Sequence, residues 1–348
     1  GTVDLFQARM CIRLNDTELL PEWARFVRGV VDCPALQPTA ARDNVLRDEA
    51  YHALRDALGA LIVAALLDLA VRDRPRFLQL CDWHHDAIKG MAARHPDFGA
   101  AVLEQLPFET NQGRLTLPDY LARQPTANGK KPLYFFTHEA DANQFHTLCQ
   151  ARGLLAINAG RPFDETLLRR YASQRAETVE LKPLDRVDDP ALYERLDTTE
   201  QAAYARLERA MDRALAERDV RVKTRVRRFQ PASLSAVLLA GQRITAFDEM
   251  ERALEKPFLL DGLAELANDV RDRLRQQPLD LFLNAAHPLV QRLRELAEPG
   301  DSRYRLILTA LYHGALLNAQ HRLTPAAARR FHADLQALLG EYLIRLES

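Results

Sequence analysis

The spacing of apolar residues changes several times along the chain, and each change marks a different kind of element. The opening stretch VDLFQARMCIRL reads as a strand. From Asn44 the period lengthens: Leu54, Leu58, Leu61 and Ala65 recur at three- and four-residue steps, with Arg47, Asp48, Arg55 and Asp56 on other faces. That pattern predicts a helix capped by Asp43. The helical texture runs to about residue 105 and breaks near Pro75 and Pro96, so 44–105 is expected to be a helical stack, preceded by a strand and loop over 1–43. TNQGRLTLPDYLARQPTANGKK then supplies turn residues and a boundary. PLYFFT, ADANQFHTLCQARG, LLAIN, PFDETLLRRYA and TVELK follow as strand, helix, strand, helix, strand. That order predicts a small three-layer α/β/α unit with a parallel sheet over 131–183.

Beyond the linker-like PLDRVDDP, TTEQAAYARLERAMDRALAER is an amphipathic helix. VRVKTRVRRF alternates strictly, with Arg221, Lys223, Arg225 and Arg227 on one face and Val220, Val222, Thr224 and Val226 on the other. SLSAVLLA is its expected antiparallel partner. A helical region near 246–275, a short strand LDLFLN and three helical segments, HPLVQRLREL, SRYRLILTALYHGALLNA and PAAARRFHADLQALLGEYLIRL, complete the chain. The expected class is α+β (mixed α/β), the second part mostly helical with a short antiparallel sheet.

A chain of 348 residues calls for about two domains. A net charge of -1 argues against general nucleic-acid or anionic-membrane binding, so neither partner is expected. Cys11, Cys33, Cys81 and Cys149 are far apart, as thiols in a reducing compartment are. The longest apolar run, 57–67, falls short of the roughly 20 residues of a membrane span. No signal peptide precedes GTVDLF, and a cytoplasmic protein is expected. Because the chain opens directly in a strand, it is expected to be a piece of something longer.

The common phosphate-loop, dinucleotide, nucleophile-elbow and HExxH signatures are absent; His138-Glu139 has Ala142 where a second histidine belongs. Cys81, His84 and His85 lie at i, i+3 and i+4, a zinc-like spacing without a fourth ligand, which opens a metal-dependent enzyme as an alternative. The ordinary reading is surface histidines beside a half-buried thiol, with no metal. The basic ribbon 221–227 could grip phosphates, but Asp212, Glu217 and Asp219 dilute it and a solvated strand face is the plainer reading. Phe247, Met250, Leu254, Phe258 and Leu259 are either ordinary core or an adaptable protein-binding surface. Leu306, Leu311, Leu316, Leu317, Phe331, Leu335, Leu338, Leu339, Tyr342 and Leu343 are too many for one terminal helix pair to hide, which points to a two-fold helical interface.

LLPEWARFVRGVVD, LTLPDYL before KKPLYFF, and FLNAAHPLVQRL, in this order, resemble the heat-shock protein 90 chaperone family, of the bacterial HtpG type. The resemblance covers nearly the whole chain. It implies that residues 1–183 are the second half of the middle domain and 187–348 the C-terminal dimerisation domain. It implies an ATP-dependent chaperone that binds unfolded or partly folded proteins as a homodimer. ATP and Mg would be held by an amino-terminal domain absent here, so this chain alone should not bind ATP. Glu139 and Asn143 repeat the spacing of that domain's Glu-x-x-x-Asn motif only by coincidence.

In the family an Asn-x-Ser-Arg-Glu loop sends its arginine to the γ-phosphate, and a glutamine one turn later assists. Those positions fall on Thr39, Ala41, Arg42, Asp43 and Leu46. Arg42 is thus the expected catalytic and nucleotide-contacting residue, since a planar, permanently charged guanidinium fits phosphate oxygens. The alternative is that Arg42 merely pairs with Asp43, Asp48 or a helix end. The loss of the glutamine raises a second alternative, a scaffold or adaptor without turnover. Client contact is expected at Phe247, Met250, Leu254 and Phe258, joined by Trp83 if that ring is exposed. Dimerisation is expected through Leu306, Leu311, Leu316, Phe331, Leu335, Leu339 and Tyr342. The chain ends RLES, without the acidic tail that recruits co-chaperones, so no tail-dependent co-chaperone is expected.

Overall fold

The opening strand is two. In the computed structural model β1 (Thr2–Gln7) and β2 (Met10–Asp16) pair antiparallel, and β3 (Arg28–Asp32) lies parallel on the other side of β1. The structure describes residues 1–41, 43–137, 142–184, 189–239, 278–296, 302–319 and 325–347. The fold is α+β, in two units: Gly1–Leu133 with Ala159–Leu181, and Tyr134–Asn158 with Lys182–Ser348.

In the first unit α1 (Glu49–Arg72) is capped by Asp48, whose Oδ1 accepts from the Tyr51 N–H at 2.9 Å. The expected cap at Asp43 is wrong, because residues 37–39 and 44–46 are bonded to each other as the stem of a separate loop. The buried line of α1 follows four-residue steps, Leu54, Leu58, Ile62, Leu66 and Ala70, and its first half packs against Leu5, Leu19 and Leu36. Leu61 and Ala65, expected on that face, are exposed.

The helical stack continues as α2 (Arg74–Trp83), α3 (His85–Arg94) and α4 (Pro96–Val102). Pro75 and Pro96 sit in first turns, where a missing N–H costs nothing. The expected boundary holds a hairpin, β4 (Phe108–Thr110) and β5 (Gly113–Leu115), whose turn requires the positive φ of Gly113 (91°), followed by α5 (Leu117–Arg123).

The strand–helix alternation is realised as β6 (Lys131–Phe136), α6 (Ala142–Arg152), β7 (Ile157–Asn158), α7 (Asp164–Gln174) and β8 (Val179–Pro183). Phe135 stands opposite Ile157 in a parallel pair. Lys131 donates its N–H to Thr178 and Leu184 to Phe135, so β8 runs beside β6 in the same sense.

The second unit contains α8 (Thr198–Ala216), β9 (Val222–Arg227), β10 (Ala236–Leu239), β11 (Leu279–Asn284), α9 (Pro288–Glu295), α10 (Ser302–Asn318) and α11 (Pro325–Glu347). Here the expected β9–β10 pairing is corrected. β11 lies between them, antiparallel to β10 and parallel to β9, so the sheet is mixed. Both its faces are covered: Leu238, Leu281 and Leu283 meet α8 and α10, while Val237 and Phe282 meet Phe145, Tyr193 and Phe229. That double burial explains the unbroken apolar runs AVLL and LFL.

The β9 alternation is observed, with Val222, Thr224 and Val226 buried. On its basic face Arg225 pairs with Asp280 at 2.6 Å and Arg227 donates to the neutral amide of Gln201 at 3.3 Å. The outer-edge N–H groups of Thr224 and Val226 donate to Asp212 and Glu208 of α8 at 2.9 and 2.8 Å, which closes the strand edge. Among the described residues no helix is long and apolar enough to cross a membrane.

Candidate functional site

The segment after β3 is built to hold a short loop away from the core. Cys33 N–H closes on Phe6 O, a turn brings Leu36 back, and Gln7 Nε2 donates to Leu36 O at 2.6 Å. Pro38 and Val45 then bridge antiparallel, flanked by bonds from Leu46 N–H to Gln37 O (2.7 Å) and from Thr39 N–H to Asn44 O (2.8 Å). Leu36 and Val45 are buried at the foot of this stem, while Ala40, Ala41 and Asp43 at its tip are exposed. Thr39 Oγ1 donates to Asp43 Oδ1 at 3.0 Å across the tip.

Arg42 falls between Ala41 and Asp43 but lies outside the described residues. The acids nearest to it in sequence already accept hydrogen bonds, Asp43 from Thr39 and Asp48 from Tyr51. Leu46, in the position of the resemblance's glutamine, is 45% exposed. Arg47 pairs with Glu18.

The zinc-like trio does not converge. The helix breaks at His84, which is the C-cap of α2, so the single-face spacing fails. Cys81 is buried, and burial pushes its thiol up to about 11. His85 is held by Pro162 O at 3.3 Å; burial, then the positive charge of Lys89, lowers its imidazole to about 4. No cluster of three metal-ligating side chains occurs among the described residues.

What this region contains instead is a buried ion pair that sequence reasoning missed. Lys89 Nζ meets Asp164 Oδ1 at 2.5 Å, with both side chains almost wholly enclosed and the ammonium 4.0 Å from the Phe108 ring centroid. It ties α3 to the first turn of α7. Phe163, with φ of 71°, lays its ring on Gly90, where an added Cβ would approach to 3.0 Å. A lysine flanked by apolar residues in HDAIKGMAAR was the available signal; its partner, 75 positions away, had none.

The FLNAAHPLV segment is structural. Asn284 is fully buried: its Nδ2 donates to Phe229 O and Leu234 O at 2.9 Å, and its Oδ1 accepts from Phe229 and Ala286 N–H. His287 Nδ1 accepts from Leu289 N–H at the start of α9.

In the terminal helices a carboxylate fixes which way α11 faces. Asp334 takes both arms of Arg218 at 2.6 and 3.0 Å and the Thr309 hydroxyl at 3.2 Å. With about 100° per residue, Leu335 and Leu339 then turn away and are 39% and 54% exposed, next to half-buried Phe331 and Leu338. Of the residues expected at a dimer interface, Leu311 and Leu316 lie in this unit's own core and Leu306 is half-buried. Leu317, outside that set, is 48% exposed, and the Tyr342 side chain lies outside the described residues. So do Phe247, Met250, Leu254, Phe258 and Leu259, the expected client contacts, whereas Trp83 is 71% exposed.

The chain is 23% identical over 339 residues to the mitochondrial heat shock protein 75 kDa of Rattus norvegicus, covering 92% of this chain and 45% of the relative. It is 25% identical over 313 residues to the chaperone protein HtpG of Shewanella baltica, covering 84% and 45%. With the HtpG of Rhodococcus jostii the identity is 26% over 369 residues, covering 94% and 51%. The chain thus spans about half the length of the curated relatives it matches. A family model described as Hsp90 protein matches residues 1–344, and the chain belongs to that family.

Proposed function

We propose that this chain is the middle and C-terminal part of an ATP-dependent molecular chaperone of the cytoplasm that binds unfolded or partly folded proteins as a homodimer. In this reading residues 1–183 are the second half of the middle domain and 187–348 the dimerisation domain. Arg42 reaches the γ-phosphate of ATP, held with Mg by an amino-terminal domain outside this chain. The single observation that carries the reading is the stem of the loop around position 42, anchored by Leu36 and Val45 and bridged at Pro38 and Val45. It holds its tip clear of the core, as a residue that must act on another domain's ligand requires. Phe247, Met250, Leu254 and Phe258, with exposed Trp83, are the client contacts in this reading; Leu335 and Leu339 serve the dimer.

The test is to join this chain to an intact amino-terminal nucleotide domain of a relative and measure ATP hydrolysis. Turnover is expected, and Arg42→Ala should lower it at least about tenfold, because an arginine on the transferring phosphoryl group stabilises charge that develops in transfer. An unchanged rate in that variant contradicts the assignment. Leu46, where the resemblance places an assisting glutamine, favours a second reading, a chaperone-shaped scaffold without turnover. It is distinguished by the same fusion, which would then be inactive and remain so in Leu46→Gln.

A further inference from the structure

Between α1 and α4 the first unit carries an apolar groove of about 360 Å³ that none of these roles uses. One side is Trp23 stacked on Phe98, ring centroids 4.4 Å apart and planes 7° from parallel. The other is the line Ala60, Val63, Ala64 and Leu67 of α1. Gly59 lets the helix approach, since a Cβ there would stand 3.1 Å from the Pro21 ring. From Ala57 to Leu67 the helix carries no charge, although Ala60, Leu61 and Ala64 face solvent. A surface helix ordinarily places polar residues on such a face.

The charge beside the groove is acidic. Asp97 lines it, and Asp56 stands one turn before Ala60 on the same helical line. Both are exposed, and neither has an ion-pair partner among the described residues. The apolar lining is far smaller than the roughly 1,200–2,000 Å² that a stable protein–protein interface buries. A second folded copy is therefore a poor occupant, and one or two side chains of an extended segment are a good one.

We propose that this groove binds an apolar side chain of a partly folded protein where lysine or arginine flanks it, with Asp56 and Asp97 holding the basic flank. The inference rests on the chaperone reading and adds a site and a sequence preference to it. A labelled peptide is first titrated against wild type and Trp83→Phe, since Trp83 is itself an expected client contact; Trp83→Phe leaves Trp23 as the only tryptophan of the chain's two, a reporter inside the groove. In that background the acetylated peptides Lys-Leu-Phe-Leu-Lys and Glu-Leu-Phe-Leu-Glu are titrated at low salt. The basic peptide should change Trp23 emission and bind at least about fivefold more tightly than the acidic one, a margin that shrinks in high salt. Ala64→Lys, at an exposed helical position, should abolish the response with the circular dichroism spectrum unchanged. Asp56→Asn with Asp97→Asn should remove the preference and keep weak binding. Absence of a Trp23 response, equal affinity for the two peptides, or a response that survives Ala64→Lys overturns the proposal. Suppression of aggregation of a heat-unfolded protein, measured alongside, separates the two levels. Peptide failure with suppression intact overturns the groove alone, and a wild-type chain that suppresses nothing overturns the reading beneath it.

Discussion

Each unit is held at one place by an acid–base pair, and the two pairs are built differently. Lys89 and Asp164 are 4% and 1% exposed, and Asp164 Oδ2 has no partner. Burial lowers the Lys89 amine and raises the Asp164 carboxyl, each opposed by the other's charge. Arg218 and Asp334 are 27% and 10% exposed and joined by two parallel bonds, with the Thr309 hydroxyl, which also reaches Leu306 O, 3.2 Å from the carboxylate. A sealed pair that is not fully bonded adds little net stability but is expensive to break, so it acts as a clamp. A half-open, two-bonded fork is cheaper to form and sets a direction, here the face of α11 that carries Leu335 and Leu339. The clamp holds α3 to α7, and the fork fixes one face of α11.

The contrast is most easily broken at the clamp. Asp164→Ala leaves a buried ammonium without a counter-charge and should cost about 3–5 kcal/mol in urea unfolding, whereas Lys89→Met with Asp164→Leu should come within about 1 kcal/mol of wild type. A double variant as unstable as the single one would mean that the pair itself, not the orphaned charge, carries the stability. At the fork, Asp334→Ala should cost less, about 1–2 kcal/mol, because Arg218 can turn to water. It should also weaken self-association; unaltered association would show that Asp334 does not orient α11.

The smallest effect is on pH dependence. His85, next to the clamp, has a folded pKa of about 4, below the 6.5 of an unfolded histidine. Between those values the unfolded chain binds the extra proton, so stability falls as the pH drops from 7 toward 4. Burial lowers His313 in the second unit also, with the same sign. The loss in Tm from pH 7 to pH 5 should therefore be smaller in His85→Gln than in wild type, and an equal loss would remove His85 from the account.

The sequence was most legible where one rhythm served one element. The α/β alternation from β6 to β8, the helical stack and the strict β9 alternation were all readable, because burial on a fixed face repeats at a fixed period. It was least legible where distant residues decide. The start of α1 moved from Asp43 to Asp48 because Leu36 and Val45, nine positions apart, close a stem first. Adjacency in sequence points β10 to β9, yet β11 takes the place between them. The family-bearing segments split in the same way. RFVRGVVD leads into the stem, while the Asn284 and His287 of FLNAAHPLV proved to be scaffold, bonding to backbone groups that no local pattern announces. Asp334 was invisible in a helix read for its leucines, although it decides which leucines remain exposed.

Sedimentation velocity of the double variant Leu335→Glu with Leu339→Glu tests the proposal that α11 presents these leucines to a second copy of the chain. The wild-type chain should sediment as a dimer and the double variant as a folded monomer, whereas an undisturbed dimer in the variant would contradict the assignment.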